Sequence, residues 1–344
     1  MKAVVYAGPG RMAVEDVADP RIEEPGDAVV RVLVSAICGT DLHAFGGHLD
    51  GIVPGTVIGH EFVGEIVEVG PTVTGLRPGQ TVMGASFTAC GRCWWCRRGD
   101  HWHCEARTMF GYGTVFGKPI GGAQAEYVRV PHADVVLARL PEGCSPEAAI
   151  FVTDTLATGF VAAERGGVAP GDVVAVIGGG AVGQMASLAC QAVGAAAVVV
   201  ADLLPVRRAV AAAHGALAAE PSTLSAVVDE LTDGRGADVV VEAVGGPGPL
   251  GAALGLVRSR GTVVTVGAHF DPAFPLPSDR SFSKELTLTF GIGDSIRVRD
   301  RLLPLVISGV LDPTVVVTGV VSLAEAPAAY ERFGRHEELK VLIR

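Results

Sequence analysis

The chain has 344 residues, more than one small core needs, so about two domains are expected. Its residues are 49% hydrophobic and include 46 glycines, the profile of a turn-rich globular protein rather than a disordered one. A net charge of −10 argues against nucleic acid or an anionic membrane surface as a partner.

The first residues, MKAVVYAGPGRM, lack the apolar stretch of a signal peptide, which reads as a cytoplasmic protein. Short valine-rich runs follow, KAVVY, AVVRVLVSAI, EFVGEIVEV and AEYVRV, alternating with Gly and Pro punctuation. Spaced strands broken by turn signals predict a β-rich, barrel-like first domain over residues 1–155. It carries Cys38-Gly39-Thr40-Asp41-Leu42-His43 and then Gly59-His60-Glu61.

Cys90, Cys93, Cys96 and Cys104 come next, spaced C-x2-C-x2-C-x7-C. A tetrahedral zinc ion explains four thiolates kept in one short loop. An iron–sulfur run has a three-residue last gap followed by proline, whereas Glu105 follows Cys104 here. A disulfide pair would need an oxidising compartment. Cys144 and Cys190 read as small core residues, and Trp94, Trp95, Met109, Phe110 and His48 read as packing.

Asp154 stands in VTDTLATG, in a D-x-x-x-T-G setting. With Cys38 and His60 it offers a thiolate, an imidazole and a carboxylate, a three-ligand set that leaves one zinc position open. Taken singly, each of the three has a plain structural explanation, Asp154 as a helix cap among them.

From about Pro170 the rhythm changes. DVVAVIG, AAVVVAD, ADVVVEAVG and GTVVTVG alternate with helical stretches, which predicts a doubly wound parallel sheet over residues 156–291. The uncharged stretch from Val173 to Ala201 is long enough for a membrane helix, but Gly178, Gly179, Gly180 and Gly183 break it into strand, turn, helix and strand. Gly178, Gly180 and Gly183 form G-x-G-x-x-G after a strand and at a helix start, and Asp202 ends the next strand. That context makes a dinucleotide site, with the pyrophosphate at the helix N-terminus. Asp202 would bind the adenosine ribose hydroxyls and repel a 2′-phosphate, favouring NAD over NADP, although Arg207 and Arg208 stand nearby. Residues 292–344 end in KVLI without a core-sized pattern, and are expected to return to the first domain.

CGTDLH, GHEFVGEIVEVG, the four-cysteine loop, D-x-x-x-T-G, GGGAVG and the closing LKVLI together resemble the zinc-dependent medium-chain alcohol dehydrogenases over the whole chain. The resemblance implies a mixed α/β fold: a GroES-like β-barrel catalytic domain interrupted by a Rossmann domain, with the active site between them. It implies two zinc ions per chain. Cys38, His60 and Asp154 would hold the catalytic ion, and Cys90, Cys93, Cys96 and Cys104 the structural one. Glu61 would stand beside the metal, Asp41 would orient His60, and Thr40 and His43 would relay a proton. Thr158 and Val182 would lie along the nicotinamide, Val266, Gly267 and Ala268 at its carboxamide and Lys340 near the pyrophosphate.

The implied activity is reversible hydride transfer between an alcohol, a secondary one by this reading, and NAD, with a small-molecule alcohol or ketone as substrate. Many relatives carry cysteine where Asp154 stands; aspartate there resembles secondary-alcohol and formaldehyde dehydrogenases. The alternatives are an aldehyde or formaldehyde dehydrogenase or dismutase with retained NAD, and a polyol or aminocyclitol dehydrogenase. A homodimer or homotetramer is the implied assembly.

Overall fold

The computed structural model describes every residue except 270, 272 and 275. The chain forms two compact units, Met1–Asp154 with Asp294–Arg344, and Thr155–Gly293. Among the described residues no helix is long and apolar enough to cross a membrane.

In the first unit, β1 (Lys2–Gly8) and β2 (Arg11–Asp16) make an antiparallel hairpin. The chain continues through β3 (Ala28–Ile37), β4 (Phe62–Val69), β5 (Thr81–Gly84), β6 (Tyr127–Val130) and β7 (Leu137–Arg139). The second unit contributes β8 (Val173–Ile177), β9 (Ala197–Ala201), β10 (Leu217–Ala219), β11 (Ala237–Glu242), β12 (Val257–Thr265) and β13 (Thr287–Phe290). β14 (Gly319–Val321) and β15 (Val341–Ile343) then belong to the first unit again.

β3 is the hub of the first unit. One edge pairs with β4, and the other is shared between β6 along Ala28–Arg31 and β15 along Ser35–Ile37. The KVLI tail therefore completes a sheet that it could not form alone. Because Ser35 pairs with Phe62 and Ile37 with Val341, three chain positions meet at one end of the sheet: Cys38 after β3, Glu61 before β4 and Lys340 before β15. Apolar clusters around Val4, Ile37 and Tyr330, and around Phe62, Ile66 and Phe110, fill the unit.

The second unit is a sheet of order β10-β9-β8-β11-β12-β13 with every pair parallel. Chain order reverses direction between β8 and β11, and in such a sheet ligands bind outside the carboxyl ends of the strands at that point. Val174, Ala175 and Val176 of β8 are fully buried, as a central parallel strand covered on both faces requires. The helix Ala181–Ala192 packs against the helix Thr155–Gly166 through Gly159, where a Cβ would come within 2.5 Å of the Ala186 amide nitrogen.

Candidate active site

Cys38 closes β3 and is fixed by the turn after it: its amide donates to Asp41 Oδ2 at 3.0 Å, and the Asp41 amide donates back to the Cys38 carbonyl at 3.0 Å. Asp41 opens a short helix, Asp41–Phe45. Thr40 occupies the N-cap position, yet its hydroxyl caps nothing. It lies 3.2 Å from Cys38 Sγ and 3.4 Å from His60 Nε2. His60 precedes β4 and follows Gly59, whose φ of +97° suits glycine; a Cβ there would meet the Gln124 side chain at 2.4 Å.

Asp154 arrives from a third direction. The helix Pro146–Thr153 starts on a Ser145 cap and stops at Asp154, whose backbone leaves the helical region (φ −154°, ψ −73°). The carboxylate is thereby delivered to the strand ends: Oδ2 lies 3.6 Å from Cys38 Sγ and 3.5 Å from His60 Nε2, and Oδ1 accepts from Ser86 Oγ at 3.3 Å.

One ligand atom each from Cys38, His60, Glu61 and Asp154 lies within 4.8 Å of the others. Zinc at its usual bond lengths needs sulfur, nitrogen and oxygen donors about 3.3–3.8 Å apart, so the thiolate, imidazole and carboxylate fit that ion. The electrostatics also suit a cation. Burial works to raise the Asp154 carboxyl, but His60 and Lys340 outweigh it and hold the group at about 2. Burial likewise works to keep the His60 ring neutral; Asp41, Tyr112 and Asp154 override it and push the ring well up. Asp41 Oδ1 stands 3.2 Å from His60 Nδ1, but off the line of a good hydrogen bond, as Nδ1 otherwise has no partner. A carboxylate behind the ring raises its basicity and fixes which nitrogen faces a metal.

Glu61 and Lys340 complete the group. Both are buried, and Lys340 Nζ pairs with Glu61 Oε2. The family resemblance implies a place near the pyrophosphate for Lys340; the structure pairs its ammonium with Glu61, because β15 starts beside the residue that precedes β4. Burial works against the Lys340 charge, yet Glu61 and Cys38 hold its pKa up at about 12. His43 faces His48 at 6.3 Å between ring centroids, and burial followed by that neighbour lowers its pKa.

The cysteine loop forms a separate cluster of the same unit. The Sγ atoms of Cys90, Cys93, Cys96 and Cys104 lie within 4.8 Å of one another, with Cys93 and Cys96 at 3.5 Å, and none is in a disulfide. Tetrahedral zinc places its thiolates about 3.8 Å apart, so this set also fits. Backbone donors at Cys96 and Glu105 lower the Cys93 thiol to about 6, whereas burial pushes the Cys96 and Cys104 thiols up, so the charge of a bound metal would be needed to make all four thiolates. Cys144 and Cys190 are buried and stand in neither group.

In the second unit Gly178 has φ +97°, and a Cβ on Gly183 would lie 1.8 Å from the Gly178 carbonyl oxygen. Gly180, at the N-cap of the following helix, has open space on its Cβ side. Those are the turn, the close packing and the free approach that a dinucleotide pyrophosphate requires. Asp202 Oδ2 accepts from the Gly179 amide and Oδ1 from Leu204, both at 2.8 Å. Arg207 Nη1 lies 3.4 Å from Asp202, and Arg208 is tied to the Asp202 and Leu203 carbonyls and to Glu220. Val182 lies in the first turn of the helix Ala181–Ala192. Val266, Gly267 and Ala268 leave β12 against the turn at Gly245: a Cβ on Gly267 would reach the Gly245 nitrogen at 2.3 Å. Thr158 lies on the helix Thr155–Gly166, against Gly293.

The profile of the alcohol dehydrogenase GroES-like domain matches residues 24–142, and that of zinc-binding dehydrogenases matches 181–306. A chain of Mycobacterium tuberculosis described as a "Probable zinc-binding alcohol dehydrogenase" is 39% identical over 100% of this chain and 88% of its own length. The chain belongs to the zinc-dependent medium-chain dehydrogenase family. Alcohol dehydrogenase TADH from Thermus sp. ATN1 superposes with a TM-score of 0.96 at 42% identity, covering 100% of this chain and 99% of that one. A chain from Sinorhizobium meliloti crystallised with NADP superposes at 0.86 with 28% identity, covering 99% and 98%. As a member of this family the chain is an oxidoreductase of the zinc-dependent alcohol dehydrogenase type, acting on small molecules.

Three residues at the site carry no signal in the sequence reading: Ser86 on Asp154, Tyr112 edge-on to the His60 ring at 5.4 Å, and Gln124 on Asp41 at 3.3 Å. A hydroxyl, a phenol and an amide in strand and loop sequence have no spacing rule that would single them out.

Proposed function

We propose that this chain catalyses reversible hydride transfer between a secondary alcohol and NAD, giving a ketone. The observation that carries this reading is the convergence of Cys38, His60 and Asp154 on one point with donor separations that suit zinc. These three residues would hold the catalytic ion, and the four-cysteine loop a structural one. When bound, zinc supplies Lewis-acid polarisation of a substrate oxygen and NAD supplies the hydride acceptor.

The chain's own groups handle the proton. The Thr40 hydroxyl, free of any capping duty and beside two candidate ligands, would accept the proton of the substrate hydroxyl as it gives up its own. His43 would take over the proton that leaves Thr40 and release it outward; burial and then His48 lower its pKa, which favours the neutral ring that can accept. Asp202, oriented by the Gly179 and Leu204 amides, would receive the adenosine ribose, with Gly178, Gly180 and Gly183 at the pyrophosphate and Thr158, Val182 and Val266–Ala268 around the nicotinamide.

The test is a screen of primary, secondary and cyclic alcohols, with the matching carbonyls, against NAD and NADP, alongside zinc analysis of the same preparation. Two zinc equivalents and secondary-alcohol turnover with NAD support the reading. Turnover that needs no added cofactor points instead to an aldehyde dismutase, and activity confined to cyclic polyols to a polyol dehydrogenase. The NADP held by the Sinorhizobium meliloti relative makes the cofactor comparison essential.

A further inference from the structure

Behind Asp41 runs a buried chain of hydrogen bonds that ends on a helix remote in sequence. Tyr330 Oη donates to Gln124 Oε1 at 2.9 Å across 206 residues. Gln124 Nε2 donates to the Ala36 carbonyl at 3.0 Å and to Asp41 Oδ2 at 3.3 Å. Asp41 Oδ2 also accepts from the Cys38 amide, while Oδ1 faces His60 Nδ1. Tyr330 and Gln124 are 0% exposed, and Asp41 and His60 1%.

The amide orientation is dictated by its neighbours. Flipped, the Gln124 oxygen would face two acceptors, the Ala36 carbonyl and the Asp41 carboxylate, and its NH2 would face the Tyr330 donor. The same residue meets the metal group a second way, since its stem fills the space that a side chain at Gly59, next to His60, would need. Tyr330 lies on the helix Ala326–Gly334, and its ring also stacks on Phe45 at 5.8 Å, the last residue of the helix that Asp41 opens. Burial pushes the Tyr330 phenol well up, so it remains a donor.

We infer that Gln124 and Tyr330 are positioning residues for the catalytic zinc, holding the Asp41 carboxylate on the Cys38 amide and within 3.2 Å of His60 Nδ1, the ring nitrogen away from the other ligands. This rests on the reading of Cys38, His60 and Asp154 as zinc ligands. Neither residue needs to touch metal, substrate or cofactor. Groups placed behind a ligand in this way are commonly worth about 10- to 100-fold in metal affinity.

The measurement is zinc release from the full-length protein to a chromogenic chelator, with the four-cysteine site of the same molecule as internal reference. Asp154→Ala, which lacks one catalytic ligand, assigns the release phases. Gln124→Glu keeps the shape and the Tyr330 acceptor but turns an acceptor toward Asp41. It should weaken catalytic-site zinc by about 10- to 100-fold, as should Gln124→Leu, with release from the cysteine loop unchanged. Tyr330→Phe should fall between these and the unaltered protein. Wild-type zinc retention in Gln124→Glu and Tyr330→Phe overturns the inference. So does parallel weakening of both zinc sites, which would mark a general loss of fold. If the unaltered protein holds zinc only in the cysteine loop, the ligand reading itself fails, a result visible before any variant of Gln124 or Tyr330 is made.

Discussion

Lys340 and Glu61 form an ion pair in which each side chain is 1% exposed. Two charges so deeply buried were set there by sheet register, because β4 and β15 flank β3 and start at the same end. Removing one partner strands the other. Lys340→Met should therefore destabilise the protein by about 3–5 kcal/mol, whereas Lys340→Met combined with Glu61→Gln should recover most of that loss. Chemical unfolding of the two variants checks it; equal stability of the single and double variants would mean that the pair carries no coupling.

The cysteine loop and the Cys38 site should fail differently. Structural zinc binding contributes directly to folding free energy, and the four cysteines share only a small apolar cluster with Ala89, Val135 and Ile296. Cys93→Ser should lower the melting temperature and release one zinc equivalent. Cys38→Ser, at the end of a strand paired on both edges, should abolish turnover with a smaller change in melting temperature. Calorimetry and zinc analysis on both variants decide this, and a larger thermal loss in Cys38→Ser would reverse the two assignments.

Much of this architecture is legible in the sequence because parallel and antiparallel strands leave different marks. Uninterrupted valine runs announced β8, β9, β11 and β12, with Asp202 closing β9 and glycine following the other three, and the runs punctuated by Gly or Pro announced β3, β4 and β6. β10, three residues of LAA at a sheet edge, has neither hydrophobic length nor alternation and leaves no such mark. Cys38, His60 and Asp154 are legible as candidate ligands only in combination, since each alone has a plain structural explanation and the family resemblance is what joins them. Gln124 and Tyr330 are not, because an amide in GGAQAEY and a phenol in a C-terminal helix gain meaning only when the tail pairs with β3. Lys340 is a related case: its partner depends on strand register, which the tail sequence alone does not specify.

Asp202 should set cofactor preference, but it has a second duty. Its carboxylate accepts from the Gly179 and Leu204 amides, so it also holds the glycine turn in shape. Asp202→Gly should therefore weaken binding of both cofactors while raising the ratio of kcat/KM for NADP over NAD, by removing repulsion of the 2′-phosphate. The ratio is the quantity to measure. A native enzyme that already works better with NADP would show that Arg207 and Arg208 outweigh the carboxylate.

His214 should make stability depend on pH. Gln184 spends its amide nitrogen on the Gly179 and Arg207 carbonyls, both at 2.9 Å, so its oxygen can only accept from His214 Nε2 at 2.7 Å. Gln191 Nε2 lies 3.3 Å from the other ring nitrogen, which accepts. Both contacts suit the neutral ring, and burial lowers its pKa below the ordinary 6.5. The folded state then binds fewer protons than the unfolded one in mild acid. The contribution is present above about pH 6.5 and is lost as pH falls through the folded value. Melting temperature should drop between about pH 7 and 5, and His214→Gln should flatten part of that drop; His43 and His132, also lowered by burial, contribute with the same sign. An unchanged pH profile in His214→Gln would remove His214 from this account.

Asp154 and Cys144 compete for the place of third catalytic ligand, and the helix between them separates the two. Cys144 precedes and Asp154 follows the eight-residue helix Pro146–Thr153. At about 1.5 Å per residue, that helix alone spans about 12 Å, several times any zinc–ligand distance. Asp154 stands at the end near Cys38 and His60, and Cys144 Sγ lies at the other, 3.8 Å from the Ser145 carbonyl oxygen. Asp154→Ala should empty or weaken the catalytic site, leave the cysteine-loop zinc in place and lower turnover by orders of magnitude. Cys144→Ala should retain two zinc equivalents and near-native turnover. Zinc analysis with steady-state kinetics on both variants reads this directly, and an essential Cys144 beside a dispensable Asp154 would sink the ligand assignment.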